Sequence, residues 1–433
     1  MTQFSLGEKG IELRLLNTDK FTRNSLSVNF LVKLDENASK NALLAAVMKI
    51  TSKKYPTINA LNDYLERLYG ATFSASVSKK GEMQMICFGV SFIADCFAIS
   101  GENITEKMMQ FLADMIFEPL LINHSFKDEI VKTEKINLIN KIQSRVNDKF
   151  SYANTRCIET MCEDEAYSLD ELGKIEEIEK LNGSDLYEQY HNLIKNSKVI
   201  VFGMGRFDED NVKNWVTKQF DFERKSVEIS TKYIEKASKI KEKDENMAIN
   251  QSKLVLGFRI GSKDYEDHMF SYIMFHIIYG GSPNSRLFLN VREKLSLCYY
   301  CSSRVDRLKG TMLVYSGVEN KNRQLAQDEI LLQLKQMTDV KNITQTDMDN
   351  ALKTAENDYG QLSDSPASME TYYINCIIGN SCLTVSELVE GLRNVTAGDV
   401  VRVAKLISLD TIYCLNGTEI ADENNDEDGE NDE

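Results

Sequence analysis

The sequence predicts an α+β protein made of two diverged copies of one domain, each a mostly antiparallel sheet covered by helices. Three observations carry this. Strand-like and helical patterns recur in the same order in both halves, paired β runs in each half break at a Lys-Gly turn, and each half closes with an Asp-to-Gly spacing of 18 residues. Two unrelated α+β domains would have to match in both order and spacing by accident.

Each copy opens with an apolar strand-like run, Leu26 to Leu34 and Leu254 to Ile260, and continues with helical segments. Lys80-Gly81 then separates the β runs 72–78 and 83–92, and Lys309-Gly310 separates 299–305 from 311–318. A helix starting at Asp185 or Asp399 leads into a strand ending in Gly203 or Gly417. The turns are offset by 229 residues and the closing elements by 214, so the first copy carries the difference as an insertion. Between the copies, 221–250 is charge-rich with few large apolar residues and reads as a linker. The expected domains are therefore 1–220 and 251–420, followed by a disordered acidic tail at 421–433.

Composition narrows the function. Of 433 residues, 42% are apolar and 27% charged, the balance of a soluble protein with an ample core. The net charge is −15, and Asp422 to Glu433 supplies eight carboxylates and no cation. The remaining body is mildly acidic, which argues against a nucleic-acid partner. No apolar run approaches the roughly 18 residues of a membrane span, and the start lacks a signal-peptide pattern. Nine cysteines, an odd number in a large chain, imply reduced thiols and a cytoplasmic location.

Self-contained zinc chemistry is not expected. The four histidines are His124, His191, His268 and His276, and no two are four apart. His268 and His276 are separated by about 12 Å of helical rise, too far to chelate one ion. Cys298-Tyr-Tyr-Cys301 has redox-pair spacing but begins a strand, where residues i and i+3 face opposite sides. Gly203-Met-Gly205 lacks the third glycine of a dinucleotide loop, so a turn is the better account. No GxSxG elbow occurs, and the helical patterns at 321–337 and 365–378 read as core.

The stretch from Asn284 through Arg292-Glu-Lys-Leu-Ser-Leu-Cys-Tyr299 resembles the second-half signature of the M16 (pitrilysin-like, insulinase-like) metallopeptidases. The resemblance covers nearly the whole chain, and Tyr190-His-Asn before the 199–203 run is similar to the family's closing element. It implies repeated α+β domains, in agreement with the repeat. Anchored on Tyr55-Pro56-Thr57, it places the family's inverted zinc motif, His-x-x-Glu-His, on Ala42-Leu-Leu-Ala45-Ala46. The two metal-binding histidines become Ala42 and Ala46, and the glutamate base becomes Ala45. With Glu134 taken as the family's earlier glutamate, the third ligand position falls on Lys141, and 137–142 contains no carboxylate. A cation there opposes metal binding. The resemblance thus implies no metal or other cofactor on this chain.

The second half departs less. By resemblance, Arg292 and Tyr299, seven apart with Leu297 between, contact the substrate backbone and stabilise a tetrahedral oxyanion, with Tyr300 the competing tyrosine. A guanidinium and a phenol suit that task. The plainer account is an exposed helical Arg292 and a packed Tyr299. Loss of the metal half beside retention of the donor half implies the zinc-less subunit of a two-chain peptidase, whose partner carries zinc on His-x-x-Glu-His. The segment Leu65-Glu-Arg-Leu-Tyr-Gly-Ala71 is similar to a zinc-less bacterial subgroup. The expected substrate is a peptide added to a sheet edge, with the run 83–92 as the candidate edge and an internal core strand as the equal account of the same run. A homodimer is possible for the isolated chain. The alternative is a pseudo-peptidase scaffold or peptide-binding module with no catalytic role.

Overall fold

A computed structural model describes residues 2–418 except 226, 227, 229, 262–264 and 382. The tail expected at 421–433 lies outside the described residues. The chain divides into two compact units.

The first unit comprises Met1–Arg145, Asp164–Lys232 and Gly360–Cys382. Its sheet is built from β1 (Thr2–Leu6), β2 (Ile11–Asn17), β3 (Arg23–Lys33), β4 (Thr72–Lys80), β5 (Met83–Ile93) and β8 (Lys198–Gly205). Strands β6 (Leu121–Ile122) and β7 (Ser125–Phe126) form a separate hairpin. The sheet order is β1-β2-β8-β3-β5-β4, with only the β2–β8 pair parallel. Alternation along β3 sets its faces. Leu26, Val28 and Phe30 pack into the main core with helices Ala38–Met48, Ile104–Phe117 and Gly183–Asn196. On the other side Leu31 packs with Met83, Met85 and Ile200 against Ile374 and Ile377 of helix Pro366–Ile378.

The second unit comprises Val146–Glu163, Tyr233–Tyr359 and Leu383–Glu433. Its strands are β9 (Lys241–Ala248), β10 (Ser252–Arg259), β11 (Cys298–Asp306), β12 (Thr311–Val318) and β13 (Ser408–Thr418). They run in the order β11-β12-β10-β13-β9, with β13–β9 parallel and the other pairs antiparallel. This repeats the first sheet strand for strand from β4 back to β2. The predicted α+β repeat is therefore the fold, and its two closing helices start on matching capping boxes. Asp185 and Asp399 each sit three residues after the cap, Asn182 and Thr396, and bond back to its backbone N–H. Both Lys-Gly turns place the glycine in the left-handed region, at φ +56° for Gly81 and +73° for Gly310.

Three expectations need correction. The stretch 221–250 is not all linker, because 241–248 forms β9. Its sequence, KEKDENMA, has no apolar run; charge pairing fixes its half-buried positions instead. Glu245 accepts from Arg156 at 2.7 Å and from the Tyr152 hydroxyl at 3.0 Å, and Lys241 meets Glu163 at 2.8 Å. A charged edge strand also discourages pairing with other chains. Second, the run 83–92 is not an edge. It is β5, paired on both sides, and the strands with one open side are β1 and β4. Third, the sheet units are not continuous in sequence. Helix Lys149–Met161 covers the second sheet through Ala153 and Cys157 against Val255, Leu313, Tyr413 and Leu415, while Pro366–Ile378 covers the first. An amphipathic pattern says that a helix is covered, not which sheet covers it.

Candidate functional site

In the first unit, helix Ala38–Met48 holds the three positions matched to the zinc motif. Ala42 and Ala45 are 3% exposed and belong to the main core, and Ala46 is half-buried. Beside them, Asn41 donates to Gln84 and accepts from Gln189, each at 2.7 Å, and Gln84 donates to the Ala38 carbonyl at 3.0 Å. A closed amide network thus ties the helix to β5 and to helix Gly183–Asn196. On helix Asp128–Ser144, Lys141 is exposed in the last turn, and Glu134 is 8% exposed and accepts from Asn137 at 2.8 Å. The positions matched to the metal site offer three methyl groups and one exposed ammonium, a set that does not fit zinc.

Burial raises the Glu134 carboxyl above its ordinary value, against opposing help from Asn137 and Lys49. The unfolded chain therefore ionises Glu134 first, and native stability falls as pH rises through the window above about 4.3. Glu134→Gln is expected to be more stable than the wild type at neutral pH and to lose that advantage below the window. Urea denaturation at several pH values checks this; parallel profiles for the two proteins would contradict it.

In the second unit, Arg292 lies in the π-helical segment Leu287–Lys294. The segment closes on wide-turn bonds, Leu295 N–H to the Asn290 carbonyl at 3.2 Å and Leu297 N–H to the Val291 carbonyl at 3.1 Å. Ser296 then takes φ +50°, an uncommon left-handed conformation for a residue other than glycine. Such wide turns and backbone outliers cluster at functional sites. The Arg292 guanidinium sits 4.7 Å from the Phe288 ring centroid and 3.4 Å from the Glu293 carboxylate, with 41% of its side chain exposed.

The chain next enters β11, an edge strand of its sheet, through a bulge. Cys298 faces Val318 and Tyr300 faces Gly317, so Tyr299 is the inserted residue. Tyr299 is 61% exposed. Tyr300 is half-buried, with its ring 5.9 Å from Phe150 and 6.5 Å from Tyr315, and burial pushes its phenol up to about 12. A cleft of about 540 Å³ beside Tyr300 is lined by Asp148, Phe150, Gln251 and Lys253, and includes neither Arg292 nor Tyr299. The bulge also changes parity, and this corrects the strand argument made for the cysteines. With one extra residue between them, Cys298 and Cys301 turn to the same side. The π turn, the left-handed Ser296 and the bulge were all missed from sequence, since neither Ser296 nor Tyr299 is a glycine or asparagine and the π turn has no signature of its own.

Residues 180–354 match the family model described as the Peptidase M16 inactive domain. Over 413 residues, 95% of this chain and 96% of the relative, the sequence is 30% identical to a Bacillus subtilis protein named "Probable inactive metalloprotease YmfF". A conserved protein from Enterococcus faecalis superposes with a TM-score of 0.88 at 27% identity, covering 97% of this chain and 100% of that one. The peptidase M16 inactive domain from Pseudomonas fluorescens shares the fold with a TM-score of 0.76 at 16% identity, covering 96% and 98%. A strand-for-strand repeat, the family-model match and a near full-length relative agree: this chain belongs to the peptidase M16 family, among its inactive members.

Proposed function

We propose that this chain is the non-catalytic subunit of a two-chain M16-type peptidase, lending Arg292 and Tyr299 to a site whose zinc is carried by a partner with His-x-x-Glu-His. The observation that carries this reading is an asymmetry. The metal half of the family's site has become methyl groups, two of them in the core, while a guanidinium and a phenol stay exposed on irregular backbone. A guanidinium and a phenol aimed at an oxygen that gains negative charge lower the barrier by hydrogen bonds made mainly in the transition state. Tyr299 is the better phenol for this, because Tyr300 is held in an aromatic cluster. The peptide would add to β4, whose outer residues Thr72, Ser74 and Ser76 are exposed and whose backbone is open on one side. The chemistry is compatible with a cytoplasmic location and with pairing of two copies when the partner is absent.

Purification of the tagged chain from its native lysate tests this. The expected result is a second chain at equal stoichiometry that carries His-x-x-Glu-His, with zinc and peptidase activity in the same eluate. A chain that elutes alone and inert, or within an unrelated complex, would support the scaffold reading instead.

A further inference from the structure

We propose that Cys298 and Cys301 form a dithiol oxidation site, at which a low-molecular-weight disulfide reacts with Cys298 and Cys301 then closes an intrastrand disulfide across the Tyr299 bulge. In a regular strand the pair would point to opposite faces and could not meet. Here their cross-strand partners are Val318 and Ser316, two residues apart on β12. That separation is roughly 6.6–6.8 Å between Cα atoms, at the upper end of the range a disulfide spans. The two thiols are close enough that each shifts the other, Cys298 downward and Cys301 upward.

The two sulfurs differ in the way such a pair requires. Cys298 is half-buried at the start of that edge strand, whereas Cys301 is buried. The Cys301 and Ser316 side chains, together with the Arg292 charge, lower the Cys298 thiol to about 7 against the cost of burial. The Cys298 side chain and burial push Cys301 up. Cys298 is thus the attacking thiolate and Cys301 the resolving thiol. Among the other described cysteines, Cys96 is exposed, Cys87 is half-buried with its thiol pushed up by burial, and Cys157, Cys162, Cys376 and Cys414 are buried.

The chemistry balances in two exchanges. The Cys298 thiolate attacks one sulfur of the small disulfide, whose S–S bond breaks and releases one thiolate. Cys301 gives up its proton and attacks the Cys298 sulfur of the mixed disulfide, releasing the second thiolate. The protein loses two electrons and two protons, and the small disulfide becomes two thiols. The new bond spans the bulge that presents Tyr299, so oxidation would fix that presentation. This last consequence rests on the composite-site reading, but the thiol chemistry does not.

The test treats the full chain with glutathione disulfide, blocks remaining thiols by alkylation and maps tryptic peptides without reduction. Cleavage after Lys294 and Arg304 yields residues 295–304, which hold both cysteines and no others. The expected product is this peptide lighter by two hydrogens, restored by excess reduced glutathione. Cys301→Ser is expected to trap a glutathione adduct on Cys298, and Cys298→Ser to leave Cys301 unmodified. The proposal is overturned if the wild-type peptide stays doubly alkylated after Cys96 has become a mixed disulfide. It is equally overturned if Cys301→Ser shows no adduct. Neither partner nor peptidase activity enters the measurement, so its failure leaves the subunit reading standing.

Discussion

On the proposed subunit reading, Arg292→Ala is expected to lower kcat of the reconstituted pair by about 10²–10³-fold, with a much smaller change in KM. The split follows from when the interaction forms. A donor aimed at an oxygen that becomes anionic gains most of its strength in the transition state, so its removal costs rate rather than ground-state affinity. Tyr299→Phe removes one O–H donor and is expected in the same range, whereas Tyr300→Phe should stay within about twofold because Tyr300 packs rather than faces solvent. Arg292→Lys keeps the charge but loses the planar fork, so it should recover only part of the rate. Steady-state kinetics on the purified pair, with assembly confirmed for every variant, decide the matter. Wild-type kcat in Arg292→Ala would remove the catalytic role and leave a peptide-binding or scaffold protein.

How much of this was legible in the sequence depends on what each residue type declares. The repeat was readable because turn glycines and capping aspartates carry local physics: Gly81 and Gly310 adopt positive φ, and Asp185 and Asp399 close capping boxes. That Ala42, Ala45 and Ala46 offer no ligating atom was readable because a methyl group cannot coordinate a metal. β9 escaped because its half-buried positions are charged and hold their place by ion pairs such as Glu245–Arg156, which leave no apolar period. The exchange of helices Lys149–Met161 and Pro366–Ile378 escaped because partner choice is a long-range property. At Arg292 and Tyr299 the sequence singled out the residues but gave no sign of their backbone. A π turn, a left-handed serine and a bulge within a dozen residues break local rules without a marker residue, as functional segments often do.

The second large effect concerns the ion pair that pins a helix to the second sheet. Arg259, at the end of β10, donates to Asp410 on β13 at 2.7 Å, and both side chains are at most 4% exposed. Another guanidinium nitrogen donates to the carbonyl of Met161 at 3.0 Å, the last residue of helix Lys149–Met161. One buried cation therefore joins two strands and satisfies a carbonyl at a helix end that has no partner within the helix. Asp410→Ala would leave that cation buried without its counter-charge, and the expected cost is about 3–5 kcal/mol. Arg259→Met strands the carboxylate instead and should cost a similar amount. The double variant Arg259→Met/Asp410→Leu should cost far less than the two singles together, because both desolvated charges are gone and mainly the Met161 hydrogen bond is lost, about 1 kcal/mol. Trp215, the only tryptophan, lies in the first unit, so hydrogen exchange over β10 and β13 is the readout for the second. Additive losses in the double variant would show that the two groups act separately, and the helix would then owe its place to the apolar contacts of Ala153 and Cys157 and to the bonds from Arg156 and Tyr152 to Glu245.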